Sequence, residues 1–311
     1  MQDGSRRAII AAFFANLGIA ISKFIGFIIT GSASLLAEAI HSVADTGNQL
    51  LLILGGSRAK RAATPLHPFG YGRERYFWAF VVAVVLFTVG GAFALYEGIE
   101  KLRHPHEIES FGVAIAILVV AIGLESWSFH TAVHEANKVR GGVGWWSFIR
   151  RSKSPELPVV LLEDLGALTG LVFALTGVLL AHYTENPRWD AAGSVAIGLL
   201  LLVISIVLAI EMKGLLIGES AAPAKQDAIT NAITESPDVV RVIHMKTEHI
   251  GPEELLVAVK VAFRPDLTIH ELAESINETE RRIRAAVAEA RMIYIEPDVY
   301  HEEMAGSSTP D

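Results

Sequence analysis

The chain has 311 residues, of which 51% are hydrophobic and only 19% charged, and its 26 basic and 34 acidic side chains leave a formal net charge of -8. A soluble domain is nearer a quarter charged, so with a mean hydropathy of +0.41 the composition is that of a membrane protein with a soluble part attached, and its acidic balance argues against a nucleic-acid partner. The absence of cysteine excludes disulfides and thiolate metal sites, leaving His, Asp, Glu, carbonyls and water as possible ligands, a set suited to zinc, manganese or iron(II) and not to copper(I).

In chain order, a short basic stretch at residues 1–7 enters an apolar run at 8–30. A second hydrophobic segment follows almost at once, unlike the soluble mature chain expected after a signal peptide. Asn16 and Lys23 share roughly one face of the first run and are expected to look into a bundle rather than into lipid. Residues 32–54, SASLLAEAIHSVADTGNQLLLIL, form the second span. Here His41 and Asp45 stand one helical turn apart on one face, so an imidazole nitrogen and a carboxylate can converge on one ion or on each other. Ser34 and Glu38 extend that polar side. Two ionisable groups at mid-depth are costly unless something binds there. Gly55-Gly56 is expected to end the segment.

A basic loop at 58–75, containing HPFGYGRERY, leads into a third span at 76–96. A fourth follows at about 110–128, a fifth at 158–182 after a basic segment, and a sixth at 191–210 after the turn TENPRWD. Runs of roughly 20 residues suffice to cross a hydrocarbon core of about 30 Å. Most Arg and Lys lie before the first span and in the second-to-third and fourth-to-fifth loops. The positive-inside rule then puts both termini in the cytoplasm, and the expected location is the cell inner (plasma) membrane, as a multi-pass chain.

From Gly218 the chain turns mixed and charged. The pattern predicts a helix over 224–234, strands over 239–248 and 255–263, a long amphipathic helix over 268–290 with Ile269, Leu272, Ile276, Ile283 and Val287 as its stripe, and a strand over 292–295. The expected fold is an all-α six-helix transmembrane domain over 1–217, a small cytoplasmic α+β domain over 218–304 and a disordered tail over 305–311.

Several of these segments carry a resemblance. GSASLLAEAIHSVADTGNQ, HPFGYGRERYFW, LLEDLGALTG and DAAGS, with the terminal module, make the chain similar to the cation diffusion facilitators, divalent-metal transporters with six helices and a metallochaperone-like cytoplasmic domain. The resemblance implies a transport site built from a pair of ligands in the second helix and a second pair in the fifth. His41 and Asp45 match the first pair. Asp164 matches one member of the second, while its partner position holds Val160 in place of the usual His or Asp. Water, Glu163 after some helix rotation, or Asn16 is left to fill the open place. Glu163 lies about 100° round the helix from Asp164, so the two cannot both point straight inward.

The physical account of such a site is independent of the resemblance. Carboxylates with one imidazole replace the hydration of zinc, manganese or iron(II), and binding displaces protons from them, so that inward protons are exchanged for outward metal across the lipid bilayer. No nucleotide-binding GxxxxGK[ST] motif occurs and no HExxH, and the chain is not expected to be an enzyme. Zinc is the leading substrate, with manganese or iron(II) transport or a membrane-anchored metal sensor as alternatives. In the soluble module, His249 and His301 are the better-placed candidates for a regulatory metal. The small module has few residues for a core of its own, and a homodimer through this domain is expected both on that ground and from the resemblance.

Overall fold

The computed structural model describes residues 3–105, 107–108 and 110–300, with side chains from residue 16 onward. The expected tail over 305–311 lies outside the described residues. The chain forms two compact units, Met1–Arg58 with Glu74–Lys213, and Ala59–Arg73 with Gly214–Asp311.

The first unit is helical: α1 (Asp3–Thr30), α2 (Ala33–Arg58), α3 (Glu74–Val85), which continues through a π-helical segment, Leu86–Ala92, into α4 (Phe93–Arg103), then α5 (Phe111–Val139), the short α6 (Trp145–Arg151), α7 (Glu156–Tyr183) and α8 (Arg188–Ile217). Among the described residues, four helical stretches are long and apolar enough to cross a membrane: Glu74–Arg103, Phe111–Val139, Glu156–Tyr183 and Arg188–Ile217. With 26 residues, α2 is about 39 Å long, sufficient in length. Its apolarity is reduced by Glu38, His41, Asp45 and Asn48. Packing of α2 against α1, α3 and α7 buries Glu38, His41 and Asn48 inside the bundle.

Gly55-Gly56 does not end α2, which runs on to Arg58. A glycine inside a helix costs about 1 kcal/mol relative to alanine, but here it permits a close helix crossing. A Cβ on Gly55 would stand 2.8 Å from Trp78 Cβ on α3. Gly55→Leu is therefore expected to destabilise the bundle by about 1–3 kcal/mol, read as a lower melting temperature of the detergent-solubilised chain. An unchanged melting temperature would mean that α2 and α3 do not meet at that depth. The same device recurs between α4 and α8, where a Cβ on Gly98 or Gly198 would strike backbone nitrogens of Val195 and Leu95, respectively, at 2.8 and 2.7 Å.

The second unit contains α9 (Pro223–Thr234), β1 (Val239–Gly251), β2 (Glu254–Phe263), α10 (Ile269–Ala286) and β3 (Ala290–Asp298). Its sheet has the order β1-β2-β3, antiparallel between the first two and parallel between the last two. The parallel pair requires a crossover, which α10 supplies. Ile229 and Ile233 of α9, Ile283 of α10 and the inward residues Val257, Val259 and Val261 of β2 form the core. Residues 59–73 pack with this unit. Gly72 approaches the β1–β2 turn so closely that a Cβ would lie 2.7 Å from the Ile250 carbonyl, and Arg73 forms an ion pair with Glu248.

α10 ends earlier than its pattern predicts. Val287 takes extended angles (φ -135°, ψ 97°) and inserts into the core, and Ala290 already begins β3. Ile269, expected to open the apolar stripe, is 88% exposed, because the first helical position precedes the turn that contacts the sheet. A capping box of Thr268 and Glu271 begins the helix. The Thr268 backbone N–H and then its hydroxyl hold the Glu271 carboxyl below the ordinary carboxylate range. A depressed native pKa stabilises above the unfolded value and is lost as pH falls through the native one. Below about pH 4.3 the wild type is expected to lose helix stability that Glu271→Gln never had, so the two thermal melts, followed by far-UV circular dichroism, should converge on acidification. A gap that stays constant would exclude the Glu271 charge as a contributor.

Candidate metal-cation site

The N-terminal end of α2 is fixed from three sides. Ser32 caps it, its hydroxyl accepting from Leu35 N at 3.3 Å. The Asp190 carboxylate at the start of α8, fully buried, accepts from Ala33 N at 2.8 Å, from the Ser32 hydroxyl at 2.7 Å and from the Ser34 hydroxyl. An anion at a helix N-terminus satisfies its orphan N–H groups and favours its dipole. Lys101 of α4 completes the clasp, its ammonium 3.0 Å from Asp190 Oδ2 and 2.6 Å from the Gly31 carbonyl.

With α2 fixed at that end, its polar face meets α1, α5 and α7. Asn16, Ile19, Ser42, Asp45, Gln49, Glu125, Val160, Glu163 and Asp164 line one cavity with a volume of about 20 Å³. One water needs roughly 10–15 Å³, so there is space for one dehydrated ion or a water. His41 is fully buried beside it, Nδ1 3.5 Å from Asp45 Oδ1. Among the described residues, neither nitrogen of His41 nor Oδ1 of Asp45 has a hydrogen-bond partner. Buried polar atoms are nearly always satisfied, which makes these three atoms, one turn apart, a candidate ligand set. The π-helical segment runs alongside, with the Gly90 Cβ position 3.9 Å from His41 Nδ1; such segments occur often at functional sites.

α7 presents two carboxylates to this cavity in different directions. Glu163, 4% exposed, accepts from Asn48 Nδ2 of α2 at 2.6 Å. Asp164 turns the other way and accepts from the Ser128 hydroxyl of α5 at 3.1 Å. Val160, one turn earlier, also faces the cavity and contributes no donor atom. Among the described residues, no three His, Asp or Glu side chains are drawn together closely enough to hold a metal ion. Asn48 and Ser128 hold the two α7 carboxylates toward different helices, so they share a cavity without converging.

Sequence reasoning missed Glu125. It lies in α5 and faces the same cavity, but has no polar residue spaced at three or four positions on its N-terminal side to announce a face. The nearest signal is Ser128, three residues on, which holds Asp164. In the second unit His249 is buried near the end of β1, with its backbone N–H donating to the Glu219 carbonyl at 2.9 Å. His301 lies outside the described residues.

The first unit is thus a multi-helix membrane bundle with a carboxylate-lined cavity beside a buried imidazole. Residues 9–217 match the cation efflux transmembrane domain. Over 262 residues the chain is 32% identical to the human mitochondrial proton-coupled zinc antiporter SLC30A9, a match covering 84% of this chain and 46% of that one. It is 28% identical to the zinc transporter ZitB of Escherichia coli, over 65% of this chain and 59% of ZitB. A solved C-terminal domain of MamM aligns at 17% identity with a TM-score of 0.24, covering 25% of this chain and 96% of that domain. The chain belongs to the cation diffusion facilitator family. It spans about half the length of the SLC30A9 proteins it matches.

Proposed function

We propose that this protein is a proton-coupled exporter of divalent metal cations, zinc foremost, with His41, Asp45 and Asp164 as the ligands and Glu163 as the group able to complete the set. The observation that carries this reading is the small buried cavity into which carboxylates from α2, α5 and α7 all face, next to an imidazole with both nitrogens unsatisfied. Metal entering from the cytoplasm displaces protons from these groups. Helix rearrangement then opens the cavity outward, and protons returning from outside release the ion.

The proposal includes six spans, with α1 and the polar α2 joining the four apolar stretches, both termini in the cytoplasm, and the inner (plasma) membrane as its location. It divides the chain into a transport domain at 1–217, a cytoplasmic domain at 218–304 and a tail. It also includes a homodimer through the cytoplasmic domain, supported by a sheet face on which Leu256 and Ala258 are only half-buried and Tyr294 is exposed. His249 and His301 are its candidate regulatory ligands.

Reconstituted vesicles test the function: zinc flux with an opposing proton movement supports it, and binding without flux would make the chain a membrane-anchored sensor. A tag after Asp311 should be inaccessible in intact cells, and labelling from outside would overturn the span count or its polarity.

A single imidazole favours manganese and iron(II) more than a two-histidine site would. Because Val160 lines the cavity, Val160→His is expected to tighten zinc binding by about tenfold or more and manganese binding by less, measured by calorimetric titration. Equal changes for the two metals would show that position 160 does not reach the ion.

A further inference from the structure

The proposed ligands share the bundle interior with a lysine. Lys23 of α1 is completely buried, donates to Glu38 Oε2 at 3.1 Å and to the Ser42 hydroxyl at 2.8 Å, and lies 3.9 Å from Glu125 Oε1. These partners are of two kinds. Ser42 and Glu125 line the cavity, whereas Glu38 does not and abuts α7 at Gly170, where a Cβ would collide with its Oε1. The ammonium therefore stands between an anion outside the cavity and an anion within it. Its charge acts on both His41 and Asp45.

Packing alone does not account for a lysine here, since an apolar residue of similar volume generally stabilises a buried position as well as an ion pair or better. A fixed positive charge behind an acidic cavity has two consequences. It offsets part of the carboxylate charge while the cavity holds no cation, and it repels a dication once one enters. At short range in a medium of low dielectric constant, such a charge changes dication binding by an order of magnitude.

We infer that Lys23 is a tethered counter-cation that sets the metal affinity of the site, held back by Glu38 and drawn toward the cavity by Glu125, so that bound metal can leave. This rests on the cavity being the transport site. Lys23 acts through charge and is not a ligand; Glu38 determines how far that charge reaches.

The two members of the pair should have opposite effects. In Glu38→Gln the ammonium keeps Ser42 and Glu125 as partners but loses the anion that restrains it, so zinc affinity of the full-length chain in detergent should fall about fivefold or more. In the double variant Lys23→Gln/Glu38→Gln the charge is gone and affinity should rise about tenfold above wild type, with a lower KM and a lower maximal flux in vesicles. Lys23→Arg should remain close to wild type. A Glu38→Gln protein that binds zinc with the wild-type Kd overturns the inference, even if the double variant does not fold. If wild type itself neither binds nor moves metal, the failure belongs to the transport reading instead.

Discussion

Metal flux through Asp45→Ala is expected to fall by at least about 100-fold with the fold intact. Loss of a group that merely orients a metal ligand costs 10–100-fold in affinity, and removing a charged ligand should cost no less. Stability should change little, for reasons specific to this side chain. Asp45 is 17% exposed, its Oδ1 has no hydrogen-bond partner among the described residues, and Glu163, Glu125 and Asp164 all act on it as like charges. Alanine therefore removes repulsion from three carboxylates, partly offset by lost attraction to Lys23, as well as a proposed ligand. Zinc uptake into vesicles, together with a melting temperature, separates the two effects. Normal flux would remove α2 from the transport site, and lost flux with a collapsed melting temperature would make Asp45 a structural residue.

The second large effect concerns stability. Asp190→Ala should destabilise the bundle by about 3–5 kcal/mol, the usual cost of breaking a buried ion pair from one side. The substitution leaves the Lys101 ammonium buried without its carboxylate and takes acceptors from Ser32, Ala33 and Ser34 at the head of α2. Asp190→Asn keeps an acceptor oxygen and should lose less. Thermal unfolding in detergent measures both variants, and wild-type melting of Asp190→Ala would mean that the clasp on α2 does not form. Because this clasp fixes the helix that carries His41 and Asp45, the alanine variant should also lose flux, whereas Asp45→Ala loses flux alone.

Both predictions depend on distinguishing what is local in this chain from what is not. Apolar runs of spanning length, a basic loop, Gly-Pro punctuation and two alternating strands are local patterns, and they made the helical bundle and the α+β module legible without coordinates. The three-residue gap between His41 and Asp45 is local too, since helical geometry alone puts both on one face.

Other features needed the packed structure. Whether Glu125 looks into the cavity depends on how α5 is rotated against α1 and α7, and a carboxylate preceded by an unbroken apolar run carries no periodicity from which to read that rotation. Glu163 and Asp164 are adjacent in sequence, yet Asn48 draws one toward α2 and Ser128 draws the other toward α5. Gly55 reads as a helix stop until Trp78 is found against it, and Val287 reads as helix until the sheet claims it. Asp190 is separated from Ser32 by 158 positions. The sequence by itself determined where the long helices lie and which face of α2 is polar, because backbone geometry repeats every few residues. Only the tertiary structure decided which charges share that cavity, because burial and pairing between distant segments are set by the contacts among whole helices.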